Sequence, residues 1–186
     1  LCSFTNAAAS CTSGNCAMGA CIAGWVDLDG SPTNGCEYRC TPQGLDVPDS
    51  NFVDRDCDGI DGDRDQSIFV SPLGDNNNSG LWGAPVRTIQ AGITAAQNQG
   101  ITNVLVAADV YDGTITVSNG ISLYGGYNAN NWSRSYNNVT TIEETTVSNN
   151  MIGLNASDIT ASTVVDGFRV SVSNNTNTGG NVYGVY

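Results

Sequence analysis

The chain contains no histidine and no lysine, and all six of its basic residues are arginine. Without histidine, neither a Ser-His-Asp triad nor a Cys-His nucleophile pair can form, and zinc cannot be bound through imidazole. Without lysine, no enzyme Schiff base can form. These absences exclude several routes to covalent catalysis, and we predict no catalytic residue and no enzyme activity for the chain.

Charge of either sign is scarce, and positive charge is scarcer. Charged residues make up 13% of the 186 residues, and 18 acids against 6 bases give a formal net charge of −12. A surface of this sign repels phosphate groups, so we predict no nucleic-acid partner. No apolar run approaches the ~20 residues of a membrane-spanning helix, so we also predict no membrane span.

Cysteine is absent from the chain after Cys57, although the segment up to that point contains seven. The seven are Cys2, Cys11, Cys16, Cys21, Cys36, Cys40 and Cys57. The small, polar residues between them show no apolar periodicity and cannot build a core, so disulfides are expected to hold this segment. A thiolate metal site is the alternative, but the Cys-x-x-Cys pair typical of zinc sites is missing.

Disulfides place the protein outside the cell or on its surface. The spacing of the cysteines leaves their connectivity open. Seven is an odd number, so one cysteine has no partner among the others. Either its partner lies outside this chain, or it is a free or intermolecular thiol.

Composition changes near residue 65. Residues 1–65 hold eleven acids and three arginines, and residues 66–186 hold seven acids and three arginines with many Asn, Thr, Ser, Gly and Val. We therefore predict a cysteine-rich module over 1–65 and a β-rich domain over 66–186. Because the chain begins with Leu1, we expect a targeting segment to have been removed or the sequence to begin inside a longer protein.

The strongest chemical signal is the run of twelve residues from Asp54 to Asp65, which contains six aspartates. Acids at its positions 1, 3 and 5, Gly59 at position 6 and an acid at position 12 match the calcium-loop template, with Asp in place of the terminal Glu. Alternate carboxylates can converge on one ion, joined by the carbonyl of the apolar residue at position 7. The predicted calcium ligands are Asp54, Asp56, Asp58, Ile60, Asp61, Asp63 and Asp65.

The context of this loop indicates a structural ion rather than a switch. Pro48 precedes it without an apolar stripe of helical period, and the strand-like run Ile68–Val70 follows it, so the flanking helices of a calcium sensor are not expected. The alternative interpretation is an acidic, solvated linker, in which six carboxylates would repel one another.

A second group of oxygen ligands precedes the first along the chain. Asp27, Asp29, Asn34 and Glu37 could bind one hard cation, with Gly30 allowing a tight turn. The alternative is an Asx turn beside a disulfide. We include these four residues in the predicted metal sites and leave both interpretations open.

Residues 66–186 are expected to be rich in strands. Ser67–Ser71 and Asn103–Ala108 are predicted strands, and a helix from Pro85 to Gln99 lies between them and ends at Gly100. Short apolar runs then recur about every 20 residues, which favours the coils of a solenoid over a sandwich, although a sandwich remains the alternative.

Several motifs resemble the amino-terminal part of right-handed parallel β-helix domains, which occur in secreted bacterial surface proteins. The motifs are Ile68–Val70, Gly74-Asp75, Gly80, Pro85, Thr88-Ile89, Gly92-Ile93, Val104–Val106, Tyr111, Gly120–Tyr127, Trp132, Arg134 and Val165–Val170. The head resembles the cysteine-rich, Asp-rich modules that precede such domains, through Gly24-Trp25, Asp29-Gly30, Asn34–Glu37 and Asp56–Gly62. In that pattern Leu28 stands where relatives often carry cysteine, so Cys36 needs another partner here.

The resemblance implies a mainly β fold: a right-handed parallel β-helix with an N-terminal capping helix, preceded by a small disulfide-rich, calcium-binding module. The final strand-like run, Val182–Tyr186, has no cap, so we expect further coils beyond it or another chain stacked on it.

The function that follows is that of an extracellular or cell-surface structural or adhesive protein, stabilised by disulfides and calcium. Its expected partners are further copies of itself, as in a filament, or extracellular glycans. One alternative is a polysaccharide-degrading β-helix enzyme, for which the sequence offers only unsupported carboxylate pairs. The other is a carbohydrate-binding module that stacks sugars on aromatic rings: Trp82, Tyr124, Tyr127, Trp132 and Tyr136.

Overall fold

The computed structural model describes residues 2–186, which divide into two compact units, 2–63 and Arg64–Tyr186. We call the first unit the head and the second the body. The described residues are mainly β, with one helix. The acidic loop predicted from the sequence crosses the boundary, since its last two residues belong to the body.

The regular part of the head consists of two short antiparallel sheets, in which β1 pairs with β2 and β3 with β4. The strands are β1 (Ala7–Thr12), β2 (Asn15–Cys21), β3 (Trp25–Val26) and β4 (Tyr38–Arg39). Ser13 and Gly14 join β1 to β2 with φ of 53° and 81°, the conformation of a tight hairpin turn. Most side chains of β1 and β2 are exposed, so their sequence lacks the alternation that marks a half-buried strand.

Disulfides connect the segments of the head, as the sequence predicts. Cys21 is bonded to Cys36 and Cys40 to Cys57, with Cα–Cα distances of 5.8 and 5.7 Å. Because Leu28 stands where relatives often carry cysteine, Cys36 needed another partner, and that partner is Cys21. Cys36 and Cys57 are buried, so the two disulfides form a large part of the small interior of the head.

The three remaining cysteines lie together near the turn of the first hairpin. Cys11 and Cys16 face each other across the β1–β2 pair, with their sulfurs 3.7 Å apart, and the Cys2 sulfur lies in bonding contact with both. A sulfur forms one disulfide, so this cluster holds one bridge and one further thiol. The one cysteine that has no disulfide partner among the seven is therefore Cys2, Cys11 or Cys16.

The body is built from ten strands and one helix. The strands are β5 (Ser67–Val70), β6 (Asn103–Ala107), β7 (Val110–Asp112), β8 (Ile115–Thr116), β9 (Ser122–Tyr127), β10 (Thr140–Glu144), β11 (Asn150–Asn155), β12 (Val165–Asp166), β13 (Phe168–Val172) and β14 (Asn181–Val185). They form three sheets, ordered β12-β9-β6-β5, β13-β10-β7 and β14-β11-β8, and neighbouring strands in each sheet are parallel.

The order of strands along the chain repeats in space. The chain visits the three sheets in turn with β6, β7 and β8, then again with β9, β10 and β11, and a third time with β12, β13 and β14. Each visit adds one strand to the same side of every sheet. Parallel pairing of this kind also differs from the antiparallel sandwich that the sequence left as an alternative.

The regular spacing predicted from the apolar runs is not the repeat of the paired strands. Val104 pairs with Leu123, but Leu123 in turn pairs with Val165, which lies much further along the chain. The separation between Ile142 and its partner Val170 is intermediate between these two. The apolar runs therefore mark strands of different sheets, and loops of unequal length between the strands make the distance between paired residues variable.

Helix α1 (Ile89–Gln99) covers part of the apolar core of the body. Its predicted stripe is confirmed, because Ile89, Gly92, Ile93 and Ala96 are its buried residues. The predicted start at Pro85 was wrong: the chain there is still extended, with Val86 bridged to Val70, and Thr88 supplies the N-cap. The helix ends as predicted, with Gly100 in the left-handed conformation.

The core of the body combines an aliphatic cluster with a group of aromatic rings. Side chains from successive visits of the chain, such as Val104, Leu123 and Ile142, are fully buried in the aliphatic cluster. Phe69 packs edge-on against Trp82 and Trp132, with ring centroids 5.3 and 4.7 Å apart. Burial on this scale gives the body a core of its own, which disulfides do not have to replace.

Candidate metal centre

The acidic loop turns tightly because its aspartates accept hydrogen bonds from backbone N–H groups a few residues further along the chain. Asp54 Oδ1 accepts from the N–H of Cys57 at 2.7 Å. Asp56 Oδ1 accepts from the N–H of Asp58 at 3.1 Å, and Asp58 Oδ1 accepts from that of Ile60 at 3.1 Å. The hydrogen bond of Asp54 and the Asx turns at Asp56 and Asp58 fix the side chains of the first three aspartates at positions 1, 3 and 5.

The glycine at position 6 has the role expected from the sequence. Gly59 has φ of 99°, a conformation that residues with a Cβ rarely adopt. A Cβ atom at Gly59 would also approach Leu28 Cδ1 to 3.2 Å. Leu28 thus packs against the back of the loop, and a glycine is needed at this point for both the turn and the contact.

One hydrogen bond and one disulfide connect the loop to strand β4 and to the residue after it. The hydroxyl of Tyr38 donates to Asp54 Oδ2 at 2.8 Å. The disulfide between Cys40 and Cys57 joins the end of β4 to position 4 of the loop. The loop is therefore held by the folded part of the head rather than by flanking helices.

Two groups of carboxylates in the head meet the spacing of a metal site, and they share one residue. Asp56, Asp58 and Asp63 form one group, and Asp46, Asp54 and Asp56 form the other. Within each group, one oxygen of every carboxylate lies within 4.8 Å of one oxygen of the others. Oxygens that bind one calcium ion at about 2.4 Å lie no further apart than this.

Asp46 is a member of the centre that sequence analysis did not predict. It lies eight residues before the loop and is only 2% exposed. Its Oδ2 accepts a hydrogen bond from the N–H of Gly62 at 2.8 Å, whereas its Oδ1 has no hydrogen-bond partner. A buried carboxylate oxygen without a partner carries a large desolvation cost.

The acidic surroundings shift the ionisation of several groups in the centre. Burial raises the pKa of Asp46, although the backbone groups of Gly62 and Arg55 oppose the shift. Burial, followed by the negative charge of Asp58, raises the pKa of Asp56 to about 7. Burial and the hydrogen bond to Asp54 raise the pKa of Tyr38 to about 12. In each case the cause is negative charge that is desolvated or crowded, which a bound cation would relieve.

The remaining predicted ligands of the loop lie outside the two carboxylate groups. Asp61 is buried, and its Oδ1 accepts from the N–H of Asp49 at 3.1 Å. The side chain of Ile60 is buried, which leaves its carbonyl as the atom predicted to coordinate. Asp65 belongs to the body. The ligand set predicted from the template is thus divided between metal-spaced carboxylates and residues with other contacts.

The earlier predicted site forms a third group of carboxylates, at the surface of the head. Asp27, Asp29 and Glu37 meet the same spacing. Asp29 accepts hydrogen bonds from the backbone of Ser31 and the side chain of Asn34, which lower its pKa. Asn34 therefore contacts this group through its amide nitrogen. Both interpretations of these residues, a cation site and a set of Asx turns, are compatible with the geometry.

The donor atoms of the centre define the kind of metal that it could hold. All side chains in these two groups are carboxylates, which are hard oxygen ligands. Such ligands suit calcium, magnesium or manganese, whereas zinc and copper sites use nitrogen and sulfur. The orphaned Oδ1 of Asp46 fits a cation, because a cation supplies the partner that this oxygen lacks.

The aromatic residues considered for sugar binding are mostly interior. Tyr124, Tyr127 and Trp132 are buried, so their faces cannot stack on a ligand, whereas Trp82 and Tyr136 are exposed. Arg64 lies over the Trp82 ring, 5.2 Å from its centroid.

Two carboxylates of the body, Glu144 and Asp166, have structural contacts. Glu144 is buried and accepts from the N–H of Thr146 and the hydroxyl of Thr114. Asp166 is paired with Arg134 at 2.6 Å.

Comparison with protein-family models, with curated proteins and with solved structures gives no match to this chain. No helix within residues 2–186 combines the length and the apolar character that crossing a membrane requires.

Proposed function

We propose that the head is a calcium-binding module of an extracellular or cell-surface protein with a structural or adhesive role. The observation that carries the proposal is the group formed by Asp56, Asp58 and Asp63, in a loop with glycine at position 6 and a disulfide at position 4. Calcium binding to the folded loop stabilises the head, because an unfolded chain cannot bring these carboxylates together.

Calcium is preferred to magnesium on the chemistry of the ligands. Calcium accepts six to eight oxygens in a flexible arrangement, and the head supplies many carboxylates and backbone carbonyls in a short segment. Magnesium requires near-ideal octahedral geometry and keeps several waters. The earlier predicted site, at Asp27, Asp29, Asn34 and Glu37, is part of the proposal as a separate, exposed calcium site, in which Asp27, Asp29 and Glu37 have the spacing of metal ligands.

Location outside the cell is supported by the cross-links. Disulfides persist in oxidising compartments, and the head has Cys21 bonded to Cys36 and Cys40 bonded to Cys57. A protein in such a compartment gains from bridges and bound ions because it works without the repair systems of the cell. The disulfides are compatible with this location, which is part of the proposal.

We also propose that the body is a right-handed parallel β-helix, with α1 covering its first coil. Support comes from the three parallel sheets and from the order in which the chain visits them. The strands β12, β13 and β14 are the last strands of their sheets on one side, and an edge of this kind can accept further strands. A structural protein can use such edges for self-association, which we include in the proposed role.

Trypsin provides a test of the calcium-dependent role, since Arg55 and Arg64 lie inside the acidic loop. In calcium at one hundred times its dissociation constant, cleavage after these arginines should be about a hundredfold slower than in chelator, because cleavage follows the population of the opened loop. The sites of cleavage can be identified by mass spectrometry of the full 186-residue chain.

Two variants with the same change of charge complete this experiment. Asp58→Asn should lose the protection, whereas Asp112→Asn, an exposed aspartate of β7 in the body, should keep it. The comparison also corrects for any effect of calcium on the protease itself. Equal cleavage rates with calcium and with chelator in the wild-type protein would reject the proposed role.

A further inference from the structure

We propose that the head contains a further cation site, formed by the buried Asp46 with the partly buried Asp54 and Asp56, next to the loop site formed by Asp56, Asp58 and Asp63. Asp56 bridges the two ions. The inference rests on the proposed calcium-binding function and extends it by a ligand from outside the loop and by a second ion.

The first argument is the unpartnered oxygen of Asp46. The residue is 2% exposed, its Oδ1 has no hydrogen-bond partner, and a carboxylate oxygen of Asp46 lies within 4.8 Å of those of Asp54 and Asp56. Burying a carboxylate oxygen beside two other carboxylates is unfavourable unless a positive partner lies between them. A hard divalent cation supplies that partner and removes the repulsion.

The second argument is that the outer members of the two groups, Asp46 and Asp63, are not grouped with each other. Asp46 and Asp63 share no group anywhere in residues 2–186, although each belongs to a group with Asp56. Ligands of one calcium ion would all lie within about 4.8 Å of one another. The geometry therefore groups Asp46 and Asp63 around two positions that share Asp56 rather than around one, and one ion at each position would engage both residues.

Charge balance gives the third argument. The two groups together contain five carboxylates, Asp46, Asp54, Asp56, Asp58 and Asp63. One divalent ion balances two of these five charges, and two ions balance four of them. Arg55, within the same segment, is paired instead with Asp49 at 3.0 Å. Two ions leave one of these five charges unbalanced.

Asp54 can act as a ligand without loss of the loop structure. Its Oδ1 accepts from the N–H of Cys57 at 2.7 Å and from that of Asp58 at 3.2 Å. The Asp58 N–H also donates to Asp56 Oδ1 at 3.1 Å. When Asp54 Oδ1 gives up the longer hydrogen bond from the Asp58 N–H, one of its lone pairs becomes available to the ion. The Asp58 N–H still donates to Asp56 Oδ1.

The test is a calcium-loaded crystal of the wild-type chain, with the anomalous signal of calcium or of terbium in its place. We expect two peaks in the head that share Asp56, one of them contacting Asp46 Oδ1. One peak contacting Asp56, Asp58 and Asp63, with water at Asp46, would overturn the second site and leave the proposed function intact. The lack of any peak in the acidic loop would overturn both.

Equilibrium dialysis of variants provides an independent measurement in solution. Asp46→Asn should bind one calcium ion fewer than wild type, Asp58→Asn should lose the loop ion, and Asp112→Asn should bind the wild-type number. An unchanged number of ions in folded Asp46→Asn protein would contradict the second site. If Asp46→Asn does not fold, the wild-type crystal still decides, since it needs no variant.

Discussion

Calcium at one hundred times its dissociation constant should stabilise the head against unfolding by about 2.7 kcal/mol relative to the metal-free state. The reason is that the carboxylates of Asp56, Asp58 and Asp63 converge only in the folded loop. For a unit of this size, a gain of that magnitude raises the midpoint of thermal unfolding by more than about 10 °C. Scanning calorimetry of the whole chain, with calcium and with chelator, measures the shift.

The body supplies the internal comparison in the same experiment. It has its own aliphatic core, so we expect a transition of the head that moves with calcium and a transition of the body that does not. Sodium chloride at equal ionic strength tests whether simple screening of the acidic loop is enough. A shift as large with sodium chloride as with calcium, or no shift with calcium, would contradict a bound ion.

Removal of the Cys40–Cys57 bridge should cost the head about 3 kcal/mol and weaken calcium binding about tenfold. The stability loss reflects the greater freedom of the unfolded chain once a loop with a sequence separation of 17 is opened. The loss of affinity follows because Cys57 occupies position 4 of the acidic loop, so the bridge supports the aspartates on both sides of it. Denaturant titration and calcium titration of the double variant Cys40→Ser/Cys57→Ser measure the two effects.

The other intact bridge of the head is the matched control for this prediction. Cys21–Cys36 has a sequence separation of 15, so its removal should cost a similar amount of stability. It does not join the acidic loop, and Cys21→Ser/Cys36→Ser should therefore bind calcium almost as tightly as wild type. Equal losses of calcium affinity in the two double variants would show that the Cys40–Cys57 bridge has no specific part in shaping the loop.

The local structure of the acidic loop could be predicted because it depends on neighbouring residues. The hydrogen bond of Asp54, the Asx turns at Asp56 and Asp58 and the left-handed Gly59 involve contacts within five residues of one another along the chain. The template of alternate acids and a glycine contains the same local information. Helix α1 is a similar case. Its buried stripe follows from the helical period of its apolar residues, and its end follows from Gly100 directly after it.

Asp46 could not be predicted, because its role depends on contacts that are distant in the sequence. The pattern around it is even misleading: Leu45 and Val47 are apolar and exposed, whereas the aspartate between them is buried. The fold places Asp46 against Gly62, 16 residues away, and no local periodicity encodes that contact. The strand pairings of the body have the same origin, since loops of unequal length separate the partners.

Short strands were also missed where their sequences resemble loops. Strand β7 has three residues, and β1 and β2 expose most of their side chains. None of these three strands shows the alternation of apolar and polar residues that is used to predict a strand. Residues 164–172 form one valine-rich segment of the sequence but contain two strands, β12 and β13. They are separated at Gly167, which has φ of 79° and approaches the backbone of Gly125. Close packing of two backbones at glycines leaves no pattern of apolar residues.

Calorimetric titration of the metal-free 186-residue chain with calcium tests the central claim most directly. The account predicts saturable binding that is weakened by Asp58→Asn and retained by Asp112→Asn. Absence of saturable binding at millimolar calcium in the folded, disulfide-bonded wild-type protein, or equal binding by all three proteins, would contradict a cation site in the acidic loop.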